Sequence, residues 1–133
     1  MREKIFESKR YFSAFDFLIS HGQLLLRSDK AKGNDLYNID IIFFDTTYVQ
    51  FLTSLYGVSI RLAEDKGIVN YDSVKSYLSY DLKNLFEIET SKGEKYYIAA
   101  SFFKVYENKL EFGETSLGVL QYKGRENEIA ASR

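Results

Sequence analysis

The sequence contains no cysteine, no proline and no tryptophan among its 133 residues. Without cysteine, the chain cannot form a disulfide framework, a thiolate nucleophile or a cysteine-ligated metal site. Without proline, its turns depend on glycine, asparagine and aspartate. Histidine occurs once, as His21 beside Gly22, where an exposed turn is the expected role. These absences remove the usual material for zinc binding and for a serine–histidine catalytic pair.

The charge of the chain is close to balanced, with 18 basic and 19 acidic residues and a net charge of −1. No global basic field attracts nucleic acid, so nucleic acid is disfavoured as a partner. No apolar run approaches the roughly 20 residues of a membrane helix, and the N-terminal residues lack the apolar core of a secretory signal. We therefore expect a cytoplasmic protein without membrane association.

Aromatic residues are abundant, with 11 phenylalanines and 11 tyrosines. These side chains favour pleated, half-buried surfaces, so the composition favours β-sheet. The length suits one domain spanning residues 1–133, because a chain of this size buries a single core. Residues 124–133 are polar enough to predict a frayed tail.

Hydrophobic patterning predicts several strands separated by turns. Residues 12–20 and 23–28 flank His21-Gly22 and predict a β-hairpin, whose second arm carries three consecutive leucines and should be covered on both faces. Residues 38–44 form the best candidate for a central strand, and residues 58–62 alternate between apolar and polar side chains. Residues 91–94 predict a second hairpin turn, leading into an apolar segment at residues 96–106, and residues 109–112 alternate once more.

The segment 72–84 is ambiguous, because its apolar residues fit a helical stripe and also nearly fit a period of two. We predict a short helix there. The fold class is therefore mainly β, an antiparallel sandwich or partly open barrel of about seven to nine strands with at most one short helix. The alternative is an α+β fold, in which one helix packs on an antiparallel sheet.

The sequence contains no recognisable arrangement of catalytic or metal-binding residues. The eight glycines are scattered singly, so no phosphate-binding motif exists and no cofactor is expected. Glu87 and Glu89 fit the solvated side of a strand, whereas Asp40 precedes a buried run and must sit at a strand end or find a hydrogen-bond donor. Convergence of Asp16, Asp40 and Asp45 around a bound Mg²⁺ or Ca²⁺ would revive the hypothesis of an enzyme. We predict no catalytic residue, no metal ligand and no enzymatic activity.

The favoured function is a protein-interaction module that uses exposed rings on a sheet surface and binds another protein or itself, with a homodimer as one form. Tyrosine is enriched at interfaces, and the chain has more tyrosines than a core readily accommodates. The candidate binding residues are Tyr48, Tyr56, Tyr96, Tyr97, Phe102 and Phe103. The alternative is an apolar-ligand binder with a cavity lined by Phe15, Phe17, Phe43, Phe44, Phe102 and Phe103.

Overall fold

The computed structural model describes residues 3–50, 53–63, 83–120 and 122–132. Within these residues the chain forms nine strands and one short 3-10 turn at Ile19–His21. The strands are β1 (Phe6–Leu18), β2 (Gln23–Ser28), β3 (Asn38–Phe44), β4 (Tyr48–Gln50), β5 (Ser54–Leu62), β6 (Asn84–Glu89), β7 (Lys95–Ala100), β8 (Phe102–Asn108) and β9 (Asn127–Ala131).

All nine strands belong to one antiparallel sheet with the order β4-β7-β6-β5-β1-β2-β3-β8-β9. As far as the chain is described, the sheet is open, with β4 and β9 at its edges, and it does not close into a barrel. The predicted mainly β class is confirmed. Of the helix predicted near 72–84, residues 72–82 lie outside the described residues, and Asn84 begins β6.

The chain bends between β3 and β4 and again between β7 and β8. These two bends lie side by side, and the sheet curls there. Asp45 begins the bend between β3 and β4 with a positive φ of 58°, and Ser101 alone separates β7 from β8. The Ser101 N–H donates to the Phe44 carbonyl at 3.0 Å, which ties the two bends together. The curl brings Phe86 of β6 onto Phe43 and Phe103, with ring centroids 5.8 and 5.2 Å away.

The main core lies on one face of this curled sheet, and alternate residues of each strand point into it. In β2, Leu24 and Leu26 point into it, while Leu25 points to the opposite face and joins a second cluster with Ile42 and Leu117. Every residue of β2 is buried. The prediction that this arm is covered on both faces is therefore confirmed, because side chains on opposite faces each find apolar neighbours.

Two sequence predictions about the C-terminal part are wrong. The tail does not fray, because Asn127–Ala131 pairs with β8, Ala130 packs on the core, and the Ser132 hydroxyl accepts from the Phe103 N–H at 2.8 Å. Residues 109–112 are not a strand. They open an irregular segment at residues 109–126, which we call the outer loop and of which all but residue 121 are described.

Candidate functional site

The structure distributes the six predicted binding residues over different environments. Phe103 is fully buried and Tyr97 is 7% exposed, so neither presents a surface to a partner. Their apolar area is used in packing, since Phe103 contacts the core rings and Tyr97 packs with Leu85 and Ala99 on the other face. The expectation that these two rings are exposed on the sheet surface is wrong.

The other four candidates are more accessible but do not form one patch. Tyr96 packs against the main core, Tyr48 packs against the cluster on the opposite face, and Phe102 stacks on Phe44 with centroids 4.7 Å apart. Tyr56 is 63% exposed and stands on the outer face of β5. Of the predicted set, only Tyr56 therefore offers most of its ring to solvent.

Tyr56 is paired with a second tyrosine that the sequence did not single out. Tyr11 is its register partner on β1, and the ring centroids lie 4.8 Å apart with an interplanar angle of 51°. The Tyr11 hydroxyl donates to Ser54 Oγ at 2.8 Å, which fixes the orientation of the ring. The alternation with buried Phe12 places Tyr11 on the outer face, so period two is the signal that would have found it.

Gly57 makes the local backbone at Tyr56 possible. It sits inside β5 with a φ of +80°, opposite an irregularity in the β1 register between Ser8 and Tyr11. The Ser91 N–H donates to the Tyr56 carbonyl at 2.9 Å, and a Cβ on Gly57 would lie 2.1 Å from Ser91 Oγ. A glycine inside a strand pattern is typical of such a bulge or close approach. The 90–94 turn is therefore held beside the exposed ring.

The 90–94 turn and Tyr56 border a cleft of about 260 Å³. Its lining residues are Ser54, Tyr56, Thr90, Lys92 and Glu94. Lys32 lies beside it, with Nζ 5.0 Å from the Tyr11 ring centroid. We call these five residues, together with Tyr11 and Lys32, the tyrosine cleft.

The charges of the tyrosine cleft are mostly positive. Lys32 and Lys92 have no carboxylate partner among the residues that the structure describes. Glu94 interacts within its own turn, where Thr90 Oγ1 lies 3.4 Å from its carboxylate. An aromatic pair flanked by two lysines is therefore available to an incoming group.

A buried polar cluster joins the outer loop to the sheet. Asp40 is fully buried and accepts hydrogen bonds from Arg27, from Asn108 Nδ2 at 2.9 Å and from Ser116 Oγ at 2.7 Å. Arg27 Nη1 also donates to the Glu114 carbonyl at 2.7 Å. The predicted need of Asp40 for a donor is thus met by the neighbouring strand and by the outer loop.

The two ends of the outer loop are drawn together at its base. Asn38 Nδ2 donates to the Leu110 carbonyl at 2.9 Å, and Asn108 Nδ2 donates to the Gly124 carbonyl at 3.1 Å. Compact surface loops whose ends lie close together are frequently functional. Its exposed apolar side chains include Phe112, Val119, Leu120 and Tyr122. Sequence patterning missed this loop, because the alternation at residues 109–112 predicted a strand at its start.

A second cleft, of about 570 Å³, lies where the 3-10 turn meets the bend after β3. Its lining residues are Ile19, Ser20, His21, Gly22, Gln23, Phe44, Asp45, Thr46 and Phe102. We call it the corner cleft. The Thr46 N–H donates to the Gly22 carbonyl at 2.9 Å, which holds the turn against the bend. His21 is exposed in this turn, as the sequence predicts.

Asp45 at the corner cleft forms an ion pair with Lys83 and accepts a hydrogen bond from Ser101 Oγ at 2.9 Å. The hydrogen bond from Lys83, followed by that from Ser101, lowers the pKa of Asp45 below its ordinary value. Asp45 is thereby committed to fixing the bend. Asp40 is likewise occupied by Arg27, so these two carboxylates have structural partners.

No group of three or more histidine, aspartate or glutamate side chains among the described residues has the arrangement of a metal site. The six phenylalanines proposed to line an apolar cavity do not face one space. Phe43 and Phe103 fill the core, Phe17 is 44% exposed, and Phe44 and Phe102 stack at the corner cleft. Glu87 also differs from the expectation of a solvated side chain, because it lies 3.8 Å from buried Arg61.

No protein-family model matches the chain, and comparison with curated proteins and with solved structures found no significant similarity. Among the described residues, no helix has the length and apolar character needed to cross a membrane. The tyrosine cleft and the outer loop therefore stand as candidate sites on their geometry alone.

Proposed function

We propose that this chain is a non-enzymatic protein-interaction module of the cytoplasm and that the tyrosine cleft is its binding surface. The observation that carries the proposal is the exposed Tyr56 ring, which contacts the Tyr11 ring on the neighbouring strand and lies beside the 90–94 turn. Tyrosine is among the residues that contribute most to binding energy when a partner excludes water around them. A ring already fixed by neighbours loses little conformational entropy on binding.

The charges of the tyrosine cleft indicate the chemistry of the partner. Lys32 and Lys92 flank the rings without carboxylate partners in the described part of the chain. A partner that places an apolar or aromatic group on Tyr56 and carboxylates near the lysines would satisfy both features. Complementary charge at the edge of an interface mainly accelerates association and makes it sensitive to salt.

A different protein suits this surface better than a second copy of the chain. In a symmetric dimer the same patch meets itself, so two copies joined here would bring their Lys32 and Lys92 side chains together. Like charges placed against each other in an interface are unfavourable. We therefore assign the tyrosine cleft to an acidic surface on another protein.

The test compares three forms of the full chain: wild type, Tyr56→Ala and Tyr122→Ala. Tyr122 is 76% exposed and lies on the outer loop, so its variant is a matched control for loss of an exposed tyrosine. Each form is tagged and used to capture proteins from a lysate of the source organism. The captured protein is then purified, and its dissociation constant for each form is measured at low and high salt.

We expect Tyr56→Ala to weaken binding of the purified partner by about tenfold or more, the effect of losing one strong contact. The Tyr122→Ala chain should bind as wild type does, and high salt should weaken all three complexes. Equal affinity of wild type and Tyr56→Ala for every captured protein would refute the proposal. Capture of no protein by the correctly folded wild-type chain would also count against it.

A further inference from the structure

The loop that carries Lys32 into the tyrosine cleft is fastened at both of its ends by one arginine. This loop comprises residues 29–37 and connects β2 to β3, and we call it the β2–β3 loop. Arg10 of β1 donates from Nε to Ser28 Oγ at 2.9 Å and from Nη2 to the Ser28 carbonyl at 3.1 Å, just before the loop begins. The same Nη2 donates to the carbonyl of Tyr37, the last residue of the loop, at 2.9 Å. Both ends of the loop are thus bound to β1.

The loop in turn fixes the orientation of the Arg10 guanidinium. Asp35 Oδ2 lies 3.4 Å from Arg10 Nε, and the Asp35 N–H donates to the Lys30 carbonyl at 2.8 Å. A Cβ on Gly33 would lie 2.5 Å from Asp35 Oδ2, so the chain passes close to this carboxylate. The planar guanidinium has donors in a rigid fork, which suits it to several fixed acceptors at once. Arg10 and the β2–β3 loop therefore hold each other in one arrangement.

The irregularity in β1 lies at the position of Arg10. The pairing of β1 with β5 shifts register between Ser8 and Tyr11, and Arg10 has no register partner on β2 or on β5, both of which the structure describes in full. The Arg10 N–H donates instead to Ser8 Oγ at 3.2 Å. Irregularities of this kind re-aim a side chain. One local feature of β1 therefore directs Arg10 to the loop beside the tyrosine pair.

The consequence for the tyrosine cleft is the position of Lys32. Its N–H donates to the Asp29 carbonyl at 3.2 Å, so the backbone forms a turn where this side chain leaves it. The Lys32 Nζ lies 5.0 Å from the Tyr11 ring centroid. A lysine side chain loses conformational entropy when a partner immobilises it, and a side chain already held over a ring loses less. An ammonium group is therefore placed in advance for an acidic group of a partner.

We propose that Arg10 is a positioning residue of the tyrosine cleft. By clasping both ends of the β2–β3 loop it holds Lys32 over Tyr11, and Lys32 gives the cleft its preference for an acidic group. The charge of Arg10 itself is paired with Asp35, so its effect on a partner passes through Lys32. The inference rests on the proposed function and adds which residues distinguish acidic partners from neutral ones.

The experiment uses two synthetic peptides as probes, each with one phenylalanine between two short acidic or neutral runs. The runs are glutamates in one peptide and glutamines in the other. NMR titration of the full chain at low salt gives both dissociation constants, and their ratio is the acidic preference. The variants are Arg10→Lys, Lys32→Gln and the double variant. Arg10→Lys keeps the positive charge but loses the planar fork, so it tests the clasp separately from the charge.

Arg125→Lys is the matched control, because Arg125 also joins separate segments through its guanidinium. It donates from Nε to the Ser116 carbonyl at 2.7 Å and from Nη2 to Gln23 Oε1 at 2.9 Å, and these contacts belong to the outer loop. A thermal melt of each variant establishes that it is folded.

We expect wild type to prefer the glutamate peptide and Lys32→Gln to lower this preference by about two- to fivefold, the effect of one exposed charge pair. Arg10→Lys should lower it by the same factor, and the double variant should lower it no further, because both changes act through Lys32. Arg125→Lys should keep the wild-type preference. An unchanged preference in Arg10→Lys, two effects that multiply in the double variant, an equal loss in Arg125→Lys, or a wild type without acidic preference overturns the inference.

A second reading needs no ligand. Protons of the Lys32 side chain lie over the Tyr11 ring, so their NMR signals should be shifted upfield by the ring current in wild type. We expect this shift to be lost in Arg10→Lys and kept in Arg125→Lys. A Lys32 shift that persists in Arg10→Lys contradicts the positioning role.

Tyr56→Ala separates this inference from the proposed function. If Tyr56→Ala binds both peptides as tightly as wild type does, the tyrosine cleft is not the binding surface and both proposals fail. If Tyr56→Ala weakens binding of both peptides while Arg10→Lys keeps the acidic preference, the proposed function stands and only the role of Arg10 is rejected.

Discussion

Arg27 and Asp40 form a two-point ion pair across β2 and β3, where they are register partners. Arg27 Nε lies 2.7 Å from Asp40 Oδ1, and Arg27 Nη2 lies 2.8 Å from Asp40 Oδ2. The two side chains are 2% and 0% exposed. Together with Ser116, this pair fastens the outer loop to the sheet, so its loss should affect both the stability of the fold and the position of the loop.

The first prediction concerns Asp40→Ala, which leaves the Arg27 guanidinium buried without its carboxylate. Breaking a buried ion pair from one side costs about 3–5 kcal/mol, because the remaining charge is uncompensated. We expect a loss of this size in the free energy of unfolding, measured by urea denaturation. The double variant Arg27→Met, Asp40→Leu should lose less than the sum of the two single variants, and strict additivity would show that the pair is not coupled.

The second prediction concerns Gly57→Ala. The positive φ of Gly57 costs an alanine about 1–3 kcal/mol, and the new Cβ would also collide with Ser91. Gly93→Ala is the matched control, because Gly93 has a φ of +83° but no atom within 4 Å of the place that an alanine Cβ would take. We expect thermal denaturation to show the larger loss at Gly57. Equal losses of stability would mean that the close approach of Ser91 to Gly57 does not make the alanine more destabilising.

The third prediction concerns pH and the Asp45–Lys83 ion pair. Because Lys83 and Ser101 lower the pKa of Asp45 in the folded chain, its ionised form adds stability above the ordinary value of 3.8. That contribution disappears as the pH falls through the depressed pKa. Asparagine tolerates the same positive φ, so Asp45→Asn removes the charge alone. We expect Asp45→Asn to be less stable than wild type at pH 7, with the difference shrinking in strong acid; a constant difference would contradict this.

The fourth prediction concerns the C-terminal strand. Removal of residues 127–133 takes away β9, the packing of Ala130 on the core and the hydrogen bonds between Ser132 and Phe103. We expect a clear fall in the melting temperature, because the edge of β8 and part of the core become exposed to water. Ser132→Ala, which loses only the side-chain acceptor, should lower it less. A truncated chain as stable as wild type would support the frayed tail that the composition predicted.

The strand pattern was predictable because bulky side chains at a period of two identify extended backbone with one buried face. Leu24, Leu25 and Leu26 also indicated an arm covered on both faces. What covers that arm could not be predicted, since the position of the outer loop depends on partners distant in sequence, such as Ser116 on Asp40. Composition likewise made residues 124–133 resemble a tail, because it does not report the pairing of Asn127–Ala131 with β8.

The candidate site was only partly predictable, for a related reason. Tyr56 was identified from residue type, but Tyr97 and Phe103 have the same type and are buried. The distinction depends on what covers each face of a strand, since Phe103 packs into the main core and Tyr97 packs into the cluster on the opposite face. Tyr11 and Lys32 join Tyr56 through tertiary contacts alone, so no local signal pairs them.

Amide hydrogen exchange on the full chain, with and without its purified partner, tests the central claim most directly. The absence of proline means that every peptide bond of the chain carries an exchangeable N–H. If the tyrosine cleft binds the partner, exchange should slow in residues 53–57 and 90–94 while the outer loop keeps its exchange rate. Protection confined to the outer loop, or anywhere else with the tyrosine cleft unchanged, would contradict the account.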